Sequence, residues 1–184
     1  MAPDQDLERQ WIRQTARGDR TAFEQLYRAY HKRIFGYLFR MLSNGEAAEE
    51  IASDVMLEMW KAAGTFRGDS QVSTWLVGIA RFKGLSHLRR GRADAVEVEA
   101  ANEVADSHDL QDEALMKDSM KATIKQALSK LSPDHREVME LTFFQDFSYP
   151  EIAKLLDIPV NTVKTRMFHA RKQLRELLHA AGAS

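Results

Sequence analysis

The chain has 184 residues, 44% of them apolar and 29% charged, which describes a globular protein of one ordinary domain or two small ones. It contains no Cys, so disulfides, thiol catalysis, thiol redox sensing and Cys-ligated zinc are excluded. The formal net charge of −1 is the sum of three unlike blocks: +4 over residues 1–92, −8 over 93–118 and +3 over 119–184. Two mildly basic blocks therefore flank a strongly acidic one, and the overall charge misrepresents each of them.

In chain order, a short helix is expected over about 6–17. Phe23, Leu26, Tyr27, Tyr30, Ile34, Leu38 and Met41 then step by three and four, which predicts a long amphipathic helix broken at Asn44-Gly45. The next helix, over roughly 46–63, places Ala48, Ile51, Ala52, Val55 and Met59 on one stripe. Leu57 falls on the other side, among Glu50, Ser53, Asp54 and Lys61. An isolated surface leucine fits this pattern, and so does a docking patch with an apolar anchor and charged orienters. After a loop from Gly64 to Gln71, a third helix over roughly 72–90 carries Val72, Trp75, Leu76, Ile79 and Phe82 as its apolar stripe. Together these elements predict a small helical bundle.

Arg81, Lys83, Arg89, Arg90 and Arg92 form a basic cluster with no acid among residues 81–92, just beyond the loop Phe66-Arg67-Gly68-Asp69-Ser70-Gln71. A basic helix beside aromatic and hydrogen-bonding loop side chains suits single-stranded or partly opened nucleic acid. Cations near a helix C-terminus also simply complement its dipole. The stretch from 93 to 114 is acidic, lacks aromatic residues and repels itself, so it reads as a linker.

A helix is expected over about 112–130. Ser132 and Pro133 open another, since Ser caps and Pro is tolerated in the first turn. Ser148-Tyr149-Pro150-Glu151 is a capping-box pattern, with Ile152, Ala153, Leu155 and Leu156 behind it. Asp157 sits in a tight turn, and the last helix runs from about Val160 to Leu178. Helix, short turn, longer helix is helix-turn-helix geometry. On the last helix Val163, Met167, Ala170, Leu174 and Leu177 make the packing seam. Asn161, Lys164, Thr165, Phe168, Lys172 and Arg175 lie opposite, with His169 and Arg171 at the edges. Cations, short hydrogen-bonding residues and one aromatic suit a DNA groove. The plainer reading is a solvated basic face with Phe168 under a neighbouring loop.

Other chemistry is not expected. The six His show no metal-ligand spacing, and no glycine-rich phosphate loop, nucleophile elbow or paired-carboxylate constellation occurs. No metal, no cofactor and no enzymatic activity follow from the sequence. No run of 18 apolar residues occurs and the N-terminus lacks an apolar signal segment, so a cytoplasmic protein without direct membrane insertion is expected.

The strings AEEIASDVMLEMW (48–60), TFRGDSQVSTWLVGIARFKGLSHLRR (65–90) and LSPDHREVMELTFFQDFSYPEIAKLLDIPVNTVKTRMFHARKQLREL (131–177) resemble bacterial extracytoplasmic-function sigma factors. That resemblance implies an all-α fold of two small domains joined by the acidic linker. Residues 1–92 would be region 2, 93–114 the linker and 115–184 region 4. It implies docking of core RNA polymerase on Glu50, Ser53, Asp54, Leu57 and Lys61. It also implies recognition and melting of a minus-ten promoter element by Phe66, Arg67, Gly68, Asp69, Ser70 and Gln71 with Arg81, Lys83, Arg89 and Arg90. Reading of a minus-thirty-five element would fall to Asn161, Thr162, Lys164, Thr165, Arg166, Phe168, His169, Arg171 and Lys172. An inhibitory anti-sigma partner is implied as well. The sequence departs from the common pattern at Ser53, Met56, Phe82, Ser86 and Asn161, where Gln, Phe, Asn, Asp and Gly are usual. A stand-alone helix-turn-helix regulator and a pure interaction protein are the competing readings.

Overall fold

The computed structural model describes residues 5–97 and 123–181, and the chain forms two compact units, one on each side of position 108. All regular structure among the described residues is helical.

The N-terminal unit packs α1 (Gln5–Thr15), α2 (Arg20–Leu42), α3 (Gly45–Ala62) and α4 (Val72–Glu97), with a single 3₁₀ turn, Ala63–Thr65, after α3. Local chemistry sets the ends. The Asp19 carboxylate accepts the N–H groups of Thr21 and Ala22 at 2.9 and 3.1 Å and starts α2. Ser43, left-handed at φ 53°, closes α2 by donating its N–H to the Phe39 carbonyl. The Asn44 side chain accepts the Ala47 N–H at 3.0 Å, so the expected break is a cap-to-cap junction. Leu26, Ile34, Leu38, Val55, Met59, Leu76 and Val77 fill the core. The Tyr30 hydroxyl donates to the buried Glu8 carboxylate, which ties α2 to α1. Burial, reinforced by that carboxylate, pushes the Tyr30 hydroxyl far above the ordinary tyrosine range, so it stays neutral and donating.

The stripe expected on α4 does not pack as one. Val72 and Leu76 are buried and Trp75 and Ile79 half-buried, but Phe82 is 68% exposed. The buried face is instead Val72, Ser73, Leu76, Val77, Ala80 and Gly84. The reason is spatial. A Cβ on Gly84 would lie 2.6 Å from the Met41 sulfur and 3.2 Å from Leu38, so α2 presses on α4 there and fixes its rotation. The helix also continues to Glu97, because no proline follows and Gly91 stays helical; position 92 thus falls inside α4.

In the C-terminal unit residues 123–129 are helical, followed by α5 (Pro133–Phe143), α6 (Tyr149–Leu156) and α7 (Val160–Ala180). Residues 98–114 of the expected linker and 112–122 of the expected helix lie outside the described residues. Arg136 binds the first helical stretch to α5: its guanidinium donates to the carbonyls of Leu128, Ser129 and Leu131 at 3.1, 2.6 and 3.1 Å. Ser132 caps α5. Ser148 donates both its N–H and its hydroxyl to Glu151, at 2.9 and 2.7 Å, at the start of α6. Asp157, left-handed at φ 55°, turns the chain into α7. Val138, Leu141, Ile152, Val163, Met167 and Ala170 are buried between the three helices, with Leu174 and Leu177 half-buried beyond them.

Candidate nucleic-acid interface

The core seam of α7 turns its opposite face outward. Asn161, Lys164, Thr165, Phe168, His169, Arg171, Lys172 and Arg175 are all exposed, and Thr162 is half-buried. Phe168 is 65% exposed, so no neighbouring loop covers it. Its ring meets His169 edge-on at 5.4 Å, and His169 in turn stacks on His135 of α5 at 6.2 Å. The Thr165 hydroxyl donates to the Asn161 carbonyl at 2.9 Å, which leaves its lone pairs and methyl outward. The Arg171 guanidinium lies 5.5 Å over the ring of Phe143, a cation–π contact that directs it.

A shallow groove of about 470 Å³ runs along this face, lined by Tyr149, Lys164, Met167, Phe168, Arg171, Lys172 and Arg175. Four cations and two aromatics line it, and no carboxylate does. Such a groove favours a polyanion. Tyr149 is a lining residue that sequence reasoning missed, because only the folded turn brings the start of α6 beside α7. Arg166, expected among the DNA contacts, faces the other way: its guanidinium pairs with Asp134 of α5 at 2.5 Å and its side chain is 26% exposed.

The N-terminal unit brings its expected residues together on two faces. On α3, Glu50, Ser53, Asp54, Leu57 and Lys61 share one exposed strip, with Leu57 itself 50% exposed. Beside α4, the loop is shaped by Gly68 at φ +77°, a conformation that disfavours a side chain. Phe66 packs on Trp75 at 5.2 Å, Arg67 pairs with Asp69 at 3.0 Å, and the Ser73 hydroxyl donates to Gln71 at 3.4 Å. Ser70 is half-buried in the same loop. Arg89 and Arg90 fold back along α4 onto Ser86, and Arg81 is half-buried. Lys83 reaches Asp54 at 3.9 Å, joining the edge of the acidic strip to the edge of the basic one. A pair so long and so exposed contributes little stability; it marks where the two faces meet.

Described residues that are all helical, with a cationic helix-turn-helix and a second helical unit bearing a basic face, have the arrangement of DNA-binding regulators of transcription. Comparison with known proteins makes the class specific. The family model for Sigma-70 region 2 matches residues 26–93 and that for Sigma-70, region 4 matches residues 121–174. The chain is 32% identical over 183 residues to the RNA polymerase sigma-H factor of Pseudomonas aeruginosa, covering 95% of each chain. It is 30% identical to the ECF RNA polymerase sigma factor SigW of Bacillus subtilis, covering 91% of this chain and 94% of that one. Among solved structures it is similar to CnrH in complex with the cytosolic domain of CnrY, with a TM-score of 0.71, 26% identity and coverage of 95% and 99%. It is also similar to the sigma factor RpoE in complex with the anti-sigma factor NepR from Bartonella quintana, with a TM-score of 0.67, 27% identity and coverage of 85% and 96%. The chain belongs to the extracytoplasmic-function sigma factors, a family of transcription initiation factors.

Proposed function

We propose that this sigma factor carries core RNA polymerase to a defined set of promoters through three separate surfaces. The strip Glu50, Ser53, Asp54, Leu57 and Lys61 docks polymerase, its leucine anchoring and its charges orienting. The loop from Phe66 to Gln71, with Arg81, Lys83, Arg89 and Arg90, captures and holds open the minus-ten element. The outward face of α7 reads the minus-thirty-five element in the major groove. On this reading residues 1–92 act as region 2, 93–114 as the linker and 115–184 as region 4. The protein forms no covalent bond with its substrate. Extruding a base from the stack costs a few kcal/mol, which loop contacts, phosphate contacts and polymerase docking jointly offset.

The observation that carries this reading is the groove on α7, cationic, aromatic and free of carboxylates, in a chain whose other unit shows an acidic strip and a basic one. One solved relative was captured with the cytosolic domain of CnrY and the other with the anti-sigma factor NepR, and the second supports an anti-sigma partner for this chain too. No described helix is long and apolar enough to cross a membrane, in keeping with action on cytoplasmic polymerase. The test is run-off transcription with sigma-free core polymerase on genomic templates. New, defined start points appear on adding the chain; tight footprinting of symmetric half-sites by the free chain, with no effect of polymerase, would establish the stand-alone regulator instead.

A further inference from the structure

Phe82 is the most exposed large apolar side chain of the described residues, at 68%. It is assigned to no surface above. Its position on α4 is regular: it lies seven residues after Trp75 and seven before Arg89, spacings that return to nearly the same side of a helix at intervals of about 10 Å. The face therefore runs from the Phe66–Trp75 ring pair, past Phe82, to Arg89, whose guanidinium is steadied by the Ser86 hydroxyl at 3.3 Å and the Leu85 carbonyl at 3.4 Å. Near Phe82 on this side the helix carries Gly78, which adds no side chain to the surface.

Charge decides what this ring meets. From Ser70 to Ala93 the chain contains no Asp or Glu, while Arg81, Lys83, Arg89, Arg90 and Arg92 lie within that span. Leu57, the exposed apolar residue of α3, has the opposite setting, with Glu50 and Asp54 beside it. An apolar anchor among carboxylates suits a basic protein surface. A flat aromatic ring among cations suits a strand of nucleic acid, whose phosphates meet the cations and whose unstacked base meets the ring.

We propose that Phe82 is a stacking platform for one unpaired base of an opened promoter strand, next to the position captured by the loop. The inference rests on the reading that this unit opens DNA, and it adds a consequence. A ring has no donor or acceptor, so it grips any base by its face. The promoter element then contains a position that is held but not specified.

The experiment uses reconstituted holoenzyme and a forked DNA with a single-stranded minus-ten tail, measured by fluorescence anisotropy. Phe82→Ala binds the fork about 5- to 150-fold more weakly, the range for losing one stacked base. Phe82→Trp binds as well as the parent, whichever base occupies the position. An abasic scan of the tail finds one position where base removal weakens the parent but adds nothing to the loss already present in Phe82→Ala. Unchanged fork binding by Phe82→Ala overturns the proposal, as does a loss that adds to every abasic site. Loss of affinity for core polymerase also overturns it, because the ring is then a protein contact. A parent holoenzyme with no preference for the forked tail overturns both this proposal and the reading of the unit beneath it.

Discussion

Two helices of this molecule, α4 and α7, each hold a phenylalanine outward among cations, yet they are built differently around it. Helix α7 rests on α5 and α6 by one seam, Val163, Met167 and Ala170, and presents a broad face with a groove. Helix α4 is gripped all round in its first half, with Ser73, Thr74, Leu76, Val77 and Ala80 buried and no residue exposed before Phe82; beyond that ring the exposed positions are residues 87–91. A broad, protruding face can enter a major groove and touch several base edges at once. A lone ring standing just past a fully gripped half-helix suits a single strand. On the proposed reading, the amount of helix left outside the core separates duplex reading on α7 from strand holding on α4.

The largest effect expected of this comparison is on α7. Replacing both Phe168 and Lys164 by Ala removes an apolar contact and a cation from the groove, each in the range of about 1–3 kcal/mol for a base-edge contact. Discrimination for the upstream promoter element should fall by roughly 30-fold or more. Affinity for core polymerase stays unchanged, since the strip proposed to dock polymerase lies on the other unit. Competition between intact and scrambled upstream elements, with polymerase affinity measured in parallel, checks both halves. A loss of polymerase binding would mean that the face is not for DNA.

The second effect concerns the grip on α4. Gly84→Ala places a methyl 2.6 Å from the flexible Met41 sulfur and 3.2 Å from the buried Leu38; repacking the two outweighs the helix gain of Ala, so the N-terminal unit should lose up to about 2 kcal/mol in denaturant unfolding. Gly91→Ala meets open space on the same helix and should gain about 0.5–1 kcal/mol. Equal responses at the two glycines would show that α2 does not hold α4 as described.

This difference in grip also explains what the sequence could show. Caps and turns depend on a few adjacent residues, so Asp157, Pro133 and the Ser148–Glu151 pair are legible at once, and so is the exposed cationic face of α7 opposite its single seam. Helix α4 is not. Its apolar residues go nearly all round because neighbours surround its first half, and periodicity then selects no unique face; spacing alone puts Trp75, Ile79 and Phe82 with Val72 and Leu76 for that reason. Long-range pairings were equally hidden. Nothing near Arg136 indicates that it would close the carbonyl ends of residues 128–131, and nothing near Tyr149 indicates that it would line the groove with Arg175.

The smallest effect separates two cations of α7 that the sequence treats alike. Lys172 is exposed in the groove, whereas Arg166 is turned to Asp134 on α5. If Lys172 neutralises one phosphate, Lys172→Ala should reduce the slope of log affinity against log salt by about 0.9 and leave thermal stability unchanged. Arg166→Ala should leave the slope alone and cost about 1 kcal/mol of stability in the C-terminal unit, a modest figure because Asp134 is largely solvated. Asp134→Ala should cost about the same, and the double variant less than the two together, since the second truncation removes a partner already lost. Additive losses would show that the pair contributes nothing. A change in salt slope on replacing Arg166 would instead mean that, on DNA, this side chain leaves Asp134 for a phosphate.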